Sequence, residues 1–404
     1  MLVTQKSIYR SITENDYSAM SGPDWPSYEE FSSGVNIEQF VADEIDSMLN
    51  NVADKKSKIA NFCVMPFYGW EYPANTHCCL LPNGYDIDTI KTDMLNNRRT
   101  AECHKCWTIE DAGLVSDRQI KNATLDHYSN IDIVQLYERC LINKNKTTHY
   151  QIAASNFCNA TCVTCDAKSS TAWGALLPTT KQTIPMVHRA SVNCVDYNNA
   201  EFVGFKGGES TMIRAHWDIV EQLFEHDNRD CLISFTTNGS FDLTNRQKSL
   251  LSQFKNVNFN FSIDGVGSVF EYMRYPIAWS KLIDNVAWAE QQGFYVSASY
   301  TISNLNIMYY DQTVNWFDEN RIRYIENPVY DPVHFAPRSL SASLKKQILA
   351  STSSALVHGL LSQHSTVDDI NYAECLKQIQ RQDQLKHIRI QDYLPEFFEL
   401  TQSV

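Results

Sequence analysis

Several features common in other protein classes are missing from this chain. No stretch is long and apolar enough to span a membrane, and the first residues lack the apolar core of a signal peptide. Basic residues are scarce, with 34 Lys and Arg against 47 Asp and Glu, and the net charge of −13 argues against a broad phosphate-binding surface. A phosphate-binding loop, an HExxH motif and a Ser-His-Asp pattern are also absent. We therefore expect a cytoplasmic protein without a membrane or nucleic-acid partner.

Cysteine, by contrast, is plentiful. The 404 residues include twelve cysteines, and most of them fall into two groups. Clustered cysteines in a reducing compartment more often bind metal or perform chemistry than form disulfides, so we expect two metal sites. The first group comprises Cys63, Cys78, Cys79, Cys103 and Cys106, and the second comprises Cys158, Cys162 and Cys165.

The second group has the spacing C-x3-C-x2-C on one short segment. Three thiolates on one loop can hold three irons of a 4Fe–4S cluster. No fourth cysteine follows at close spacing, so one iron would stay open to a substrate or a cofactor. A zinc knuckle or a set of buried thiols is the alternative interpretation.

This spacing is the signature of the radical S-adenosylmethionine (SAM) superfamily, which the chain resembles here. The resemblance implies that Cys158, Cys162 and Cys165 hold a catalytic 4Fe–4S cluster whose open iron binds SAM. It further implies that one electron cleaves SAM to a 5′-deoxyadenosyl radical, which abstracts hydrogen from a substrate. One departure is Thr164, because many relatives have an aromatic residue immediately before the third cysteine; Phe157 or Trp173 could substitute for it.

The second half of the chain alternates short strand-like runs with helical stretches. This alternation predicts βαβ units and a parallel sheet of the α/β class. Six units match the partial (β/α)6 barrel that the resemblance implies. The predicted strands are Tyr150–Ser155, Glu201–Lys206, Leu232–Thr237, Val257–Ile263, Tyr295–Ile302 and Arg323–Glu326.

The remaining regions complete the predicted domain organisation. We predict a cap at residues 1–58 with a helix at 37–52, a small N-terminal α+β cysteine-rich domain at 59–115, and a connector at 116–148. The barrel would then span 149–338, and C-terminal helices would span 339–404.

Unusual residues follow several predicted strands, where the loops of an α/β barrel converge on one mouth. Gly207, Gly208 and Glu209 resemble the family's Gly-Gly-Glu motif, which implies that they hold the methionine amino group of SAM. Ser262 and Asp264 alternate along the fourth strand, so both could meet the ribose hydroxyls of SAM.

Two further residues are candidates for the same site. Asn238 follows the third predicted strand and could assist SAM binding, and Arg274 could pair with the methionine carboxylate through its planar guanidinium. Each candidate has an alternative explanation. Glu209 could be a solvated glutamate in an ordinary turn, Ser262 and Asp264 could cap the next turn, and Arg274 could form a surface salt bridge.

The first cysteine group predicts a second metal site. Cys103 and Cys106 with two single cysteines supply four thiolates. Adjacent Cys78 and Cys79 point in opposite directions in an extended segment, so only one of them is expected to be a ligand. The array resembles the twitch domain, a short form of the SPASM domain that carries an auxiliary 4Fe–4S cluster. Relatives usually have it after the barrel, and structural zinc is the alternative.

The sequence as a whole favours a radical SAM enzyme. Relatives with twitch or SPASM domains most often modify peptides or proteins, so a peptide or protein is the leading substrate class. A low-potential flavodoxin or ferredoxin would be the expected electron donor. The alternatives are a radical SAM enzyme acting on a small molecule or nucleotide, and a non-catalytic zinc-binding interaction protein.

Overall fold

The computed structural model describes residues 59–72, 76–78, 80–81, 84–111, 116–119, 121–122, 133–142, 147–177, 197–362 and 364–402. The predicted cap at 1–58, its helix at 37–52 and Cys79 lie outside these residues. The predicted domain boundaries stay predictions.

Seven parallel strands form one sheet, and their order in the sheet is their order in the chain. The sheet is curled into a half-barrel with helices against it, which confirms the predicted α/β class. The strands are β1 (Gly69–Tyr72), β2 (His149–Ile152), β3 (Phe202–Phe205), β4 (Leu232–Thr237), β5 (Asn256–Ser262), β6 (Tyr295–Ile302) and β7 (Arg323–Pro328).

Helices connect the strands and extend the C-terminal region. No helix in the described part of the chain is both long and apolar enough to cross a membrane. The helices are α1 (Met65–Tyr68), α2 (Ile87–Leu95), α3 (His104–Asp111), α4 (Ile133–Ile142), α5 (Thr171–Leu176), α6 (Arg214–Glu225), α7 (Asn245–Leu251), α8 (Ser268–Met273), α9 (Trp279–Gln291), α10 (Tyr310–Glu319), α11 (Ala342–Ser351), α12 (Ala355–Leu361), α13 (Thr366–Lys386) and α14 (Pro395–Gln402).

One face of the sheet is aromatic and packs against helices. Phe205, Phe235 and Phe259 are in register on adjacent strands, and all three are fully buried. Trp217 of α6 stacks on Phe235 with ring centroids 5.1 Å apart, and Trp288 of α9 meets Phe259 edge-on at 5.8 Å. Because side chains alternate between faces of a strand, the intervening residues point to the opposite face.

That opposite face carries small polar side chains. Asn258 donates to the Ser234 hydroxyl, and Asn260 donates to the Ser299 hydroxyl, each over 2.9 Å. Ser297 donates to the side-chain oxygens of Asn258 and Asn260 at 3.3 Å. Four of these five residues are only partly buried, Asn258 being the exception, so the polar face is accessible along much of its length.

The sheet contains one strand more than the sequence predicts. Strand β1 pairs in parallel with β2 and lies within the range predicted for the cysteine-rich domain. Its four residues include a glycine and follow directly after the short helix α1. A run this short gives little alternation to recognise, which explains why sequence patterns missed it.

Candidate functional site

The cysteine triplet lies on a loop between β2 and α5, held by residues distant in sequence. The Thr161 and Val163 amides donate to the carbonyl oxygens of Tyr275 and Met273 at 2.7 and 2.9 Å. The indole of Trp173 donates to the carbonyl oxygen of Cys162 at 3.0 Å. These bonds fix the loop backbone on both sides of the second cysteine without using any thiol.

The three thiols of this loop are close enough to influence one another electrostatically. Burial raises the pKa of Cys158, and it raises the pKa of Cys165 to about 12, with neighbouring thiols adding to both shifts. Cysteine ligands bind metal as thiolates, so a cation would have to stabilise the ionised form here. In the described residues, no three His, Cys, Asp or Glu side chains are already arranged as a metal site.

The two glycines after β3 allow that loop to pack directly on the cysteine loop. Gly207 and Gly208 have φ values of 82° and 42°, which favour glycine. A Cβ atom on Gly208 would lie 2.2 Å from the carbonyl oxygen of Phe157, and one on Gly207 would lie 2.8 Å from that of Ser155. The glycines thus serve contact with the cysteine loop, so that the two predicted motifs are adjacent.

Glu209 is fully buried and is surrounded by donors from the chain itself. Its Oε1 atom accepts hydrogen bonds from the Thr211 amide (3.2 Å), the Thr211 hydroxyl (2.5 Å) and the Thr237 hydroxyl (2.7 Å). Its Oε2 atom accepts one from the Asn238 amide at 2.7 Å. Burial raises the pKa of this carboxyl, and the hydrogen bonds oppose that shift. Oε2 accepts a single hydrogen bond and is the oxygen with more unused acceptor capacity.

Asn238 connects the loop after β4 to the cysteine loop. Its side-chain nitrogen donates to Asn159 Oδ1 at 2.9 Å, and its Oδ1 accepts from the Ser240 amide at 2.9 Å. Asn159 in turn donates to the Ser240 hydroxyl at 2.9 Å. The side chain is thus engaged within the protein, and a direct contact with SAM stays a prediction.

Asp264 and Arg274 form a buried ion pair that also touches a cysteine. The guanidinium Nε lies 2.6 Å from Asp264 Oδ2, and Nη2 donates to Oδ1 at 2.9 Å. Arg274 Nη1 donates to the sulfur of Cys162 at 3.7 Å. Asp264 Oδ1 also accepts from the Thr301 amide at 3.0 Å. Ser262, two residues before Asp264, is only partly buried at the end of β5.

A further ion pair joins β1 to the end of β3. Lys206 Nζ lies 2.6 Å from Glu71 Oε2, and the Glu71 side chain is only 2% exposed. Lys206 immediately precedes Gly207, so the strand that sequence patterns missed contacts the loop of the Gly-Gly-Glu motif. Neither charged residue was predicted to belong to this site.

Sequence patterns also missed residues from helix α13. Gln382 donates to the carbonyl oxygen of Val163, within the cysteine loop, at 2.9 Å. Lys386 is 5% exposed and lies over the Trp173 ring, with its ammonium 4.8 Å from the ring centroid. The sequence signal that could have identified these residues is the presence of Gln382 and Lys386 on the face of the helix that is otherwise expected to be apolar.

The first cysteine group surrounds a separate small pocket. Cys63, Cys78, Cys103 and Cys106 all line it. Burial raises the pKa of Cys63 and Cys106, and raises that of Cys103 to about 12. Four cysteines of the first group thus lie around one pocket. The choice between Cys78 and Cys79 as a ligand stays a prediction, since Cys79 lies outside the described residues.

Arg118 braces this pocket. Its guanidinium forms two hydrogen bonds to Glu110, over 2.9 and 2.8 Å, and donates to the Phe62 carbonyl oxygen at 2.7 Å. It also lies over the Trp107 ring at 4.9 Å. Trp107 and Glu110 belong to the segment that resembles twitch domains, and here they orient the helix that carries Cys106.

Comparison with known proteins gives limited information. No protein-family model matches the sequence. No curated protein matches it. Solved structures that resemble part of the chain include native anSMEcpe with bound AdoMet, at 15% identity and a TM-score of 0.35, covering 50% of this chain and 58% of that one.

Another is Streptococcus suis SuiB bound to S-adenosylmethionine, at 14% identity and a TM-score of 0.34, covering 65% of this chain and 56% of that one. SuiB bound to the precursor peptide SuiA matches at 12% identity and a TM-score of 0.35, covering 64% of this chain and 60% of that one. The chain thus spans less than two thirds of each of these proteins. Likenesses this weak carry no argument about activity.

Proposed function

We propose that the chain is a radical SAM enzyme. The observation that carries the proposal is the adjacency of two motifs far apart in sequence. The Glu209 amide donates to the carbonyl oxygen of Phe157 at 2.8 Å, directly before Cys158, so the Gly-Gly-Glu loop touches the cysteine loop. Both follow strands of one parallel sheet, at the edge where α/β proteins place their reactive groups.

Cys158, Cys162 and Cys165 would hold the 4Fe–4S cluster, and the chemistry of the donor set fits it. Thiolates are the usual ligands of such clusters, and Arg274 already donates to the Cys162 sulfur. When bound, the cluster and SAM would supply one-electron cleavage of the sulfonium and a 5′-deoxyadenosyl radical. A ferredoxin or flavodoxin is the proposed electron donor.

The remaining side chains would seat SAM. Glu209 would accept from the methionine ammonium through Oε2, the oxygen with a single hydrogen bond from the chain. Ser262 would offer its hydroxyl to the ribose. Arg274 orients the Asp264 carboxyl through their ion pair, so Asp264 would accept from a ribose hydroxyl while Arg274 faces the cysteine loop.

We propose a peptide or protein as the substrate. The accessible face of the sheet carries the amide of Asn260 and the hydroxyls of Ser234, Ser297 and Ser299, which match the donors and acceptors of peptide groups. The ion pair of Lys206 with Glu71 neutralises charge at the same face. A small molecule or a nucleotide is the alternative substrate. The first cysteine group would carry an auxiliary 4Fe–4S cluster, with zinc as the alternative there.

The test is metal analysis of the full chain. After anaerobic reconstitution, we expect about eight irons and eight sulfides per chain, falling to about four in the triple variant Cys158/Cys162/Cys165→Ala. Cys231→Ala is the control, because this buried cysteine belongs to neither group. Zinc with little iron in the unaltered chain would refute the proposal and favour a zinc-binding interaction protein.

A further inference from the structure

Helix α13 buries a stripe of residues spaced three and four apart. Such a stripe usually packs a helix against a core and is apolar along its whole length. Here the first member, Asp368, pairs with Lys345 at 3.2 Å, and the last two members are polar residues that face the cysteine loop. The stripe consists of Asp368, Tyr372, Cys375, Ile379, Gln382 and Lys386.

Gln382 joins the helix to the cysteine loop and also orients Lys386. Its Nε2 donates to the Val163 carbonyl oxygen at 2.9 Å, while its Oε1 accepts from Lys386 Nζ at 3.2 Å. The ammonium lies 4.8 Å from the centroid of the Trp173 ring and 6.0 Å from that of Tyr275. The aromatic faces and the glutamine hold the charge in one place.

Among the described residues, the ammonium forms no salt bridge with a carboxylate. Asp383 is near enough to stabilise its charge, but the Asp383 oxygens accept from the Tyr272 hydroxyl at 2.9 Å and the Ile390 amide at 2.8 Å. The Arg274 guanidinium, by contrast, forms a salt bridge with Asp264. A buried cation without a salt bridge is costly, so its presence calls for an explanation.

The sulfur atoms of the cysteine loop supply one. Burial lowers the pKa of Lys386 to about 8, and negative charge at Cys162, Asp383 and Cys165 opposes that shift. Gln382 joins the helix to the Val163 carbonyl oxygen, between the second and third cysteines, and accepts from Lys386, so the ammonium lies on the side of the helix next to this loop. A cluster bound by these cysteines would place its negative charge on that side.

We propose that Lys386, held by Gln382, is a positioning residue that places a fixed positive charge beside the cluster-binding cysteines. This inference rests on the proposed function, and it makes the C-terminal helix part of the electron-accepting centre. Reduction adds one electron, supplied by the ferredoxin or flavodoxin, and thus one negative charge to the cluster. A nearby cation favours that reduced form and raises the reduction potential.

The test compares Lys386→Met with the unaltered full chain after reconstitution. Iron per chain is measured first, and the midpoint potential of the cluster is then followed by electron paramagnetic resonance. We expect the one-electron reduction equilibrium to shift about tenfold toward the oxidised cluster, which is about 59 mV. Lys386→Arg should restore most of this shift. Lys377→Met, an exposed lysine on the same helix, should leave the potential unchanged.

The metal-free proteins provide a second readout. Since burial lowers the pKa of Lys386 and no salt bridge in the described part of the metal-free chain offsets that cost, the Lys386→Met chain should resist urea at least as well as the unaltered chain. A merely structural lysine would instead destabilise both forms when removed. Equal potentials and equal iron in the two proteins would overturn the Lys386 assignment alone. No iron at the cysteine loop of the unaltered chain would overturn the proposed function, and this inference with it.

Discussion

Replacing Glu209 by glutamine tests whether its buried carboxylate organises the loops after β3 and β4. Glutamine retains one oxygen, which can take the place of Oε1 and accept from Thr211 and Thr237. Its amide nitrogen must then occupy the Oε2 position, where it meets the donating Asn238 amide. One charge-assisted hydrogen bond is lost and a buried donor is left without an acceptor.

The size of the effect follows from these terms. A hydrogen bond to a charged group contributes about 1.5–3 kcal/mol, and a buried unsatisfied donor costs about 1–3 kcal/mol. Removing a buried carboxylate offsets part of this loss, because burial raises the pKa of Glu209. We expect the free energy of unfolding to fall by about 2–4 kcal/mol.

The assay is urea denaturation of the metal-free chain at pH 7.5, with SAM binding measured separately on the reconstituted protein. Glu225→Gln is the matched control, since Glu225 is exposed on α6 and should change stability by less than about 0.5 kcal/mol. We expect Glu209→Gln to keep its iron and to bind SAM more weakly. Unchanged stability would refute the hydrogen-bond arrangement at Glu209. Unchanged SAM binding would refute its proposed role toward the ammonium.

Three further predictions concern the same region. Gly208→Ala should destabilise the chain by about 2–4 kcal/mol and lower iron uptake, because the added Cβ would lie 2.2 Å from the Phe157 carbonyl oxygen. Gly359→Ala is the control and should not destabilise the chain, since no atom lies near its Cβ position. Equal urea curves for Gly208→Ala and the unaltered chain would contradict this prediction. Arg274→Gln should lower the free energy of unfolding, measured in urea, by about 3–5 kcal/mol, because it leaves the buried Asp264 carboxylate unpaired. A loss below about 1 kcal/mol would argue against the ion pair. Burial lowers the pKa of His216 to about 4, so as pH falls from about 6.5 the unfolded chain binds a proton that the native ring does not. His216 alone should therefore reduce stability by about 2 kcal/mol between pH 7 and 5, and His216→Gln should remove that part of the dependence in urea measurements at both pH values; an unchanged dependence would contradict this.

Much of the sheet could be predicted because its strands are long or rich in aromatic residues. Leu232–Thr237 and Tyr295–Ile302 match their observed bounds, and four other predicted strands differ only at their ends. The adjacency of the cysteine and glycine motifs also followed from sequence, since loops after parallel strands converge at one edge. Local sequence patterns predict the strands because side chains alternate between the two faces of any strand.

Side-chain partners were harder to foresee, because they depend on packing between distant segments. The burial of Glu209 depends on donors from the strand after it, and the ion pair of Arg274 with Asp264 depends on how the chain returns after β5. Lys386 lies more than two hundred residues after the cysteines it approaches. Sequence patterns alone gave no reason to assign that helix to the site.

The sequential strand order has a consequence for how the chain folds. Neighbouring strands late in the sheet are close in sequence, as where Leu232 faces Asn256, whereas Gly69 of β1 faces His149 across a much longer connection. Closing a longer loop costs more entropy, so β1 should join after the strands from β4 onward have assembled. Its detachment would also be the sheet's least costly partial opening, which hydrogen exchange can detect. Since β1 carries Glu71, its detachment would also break the ion pair with Lys206 at the end of β3.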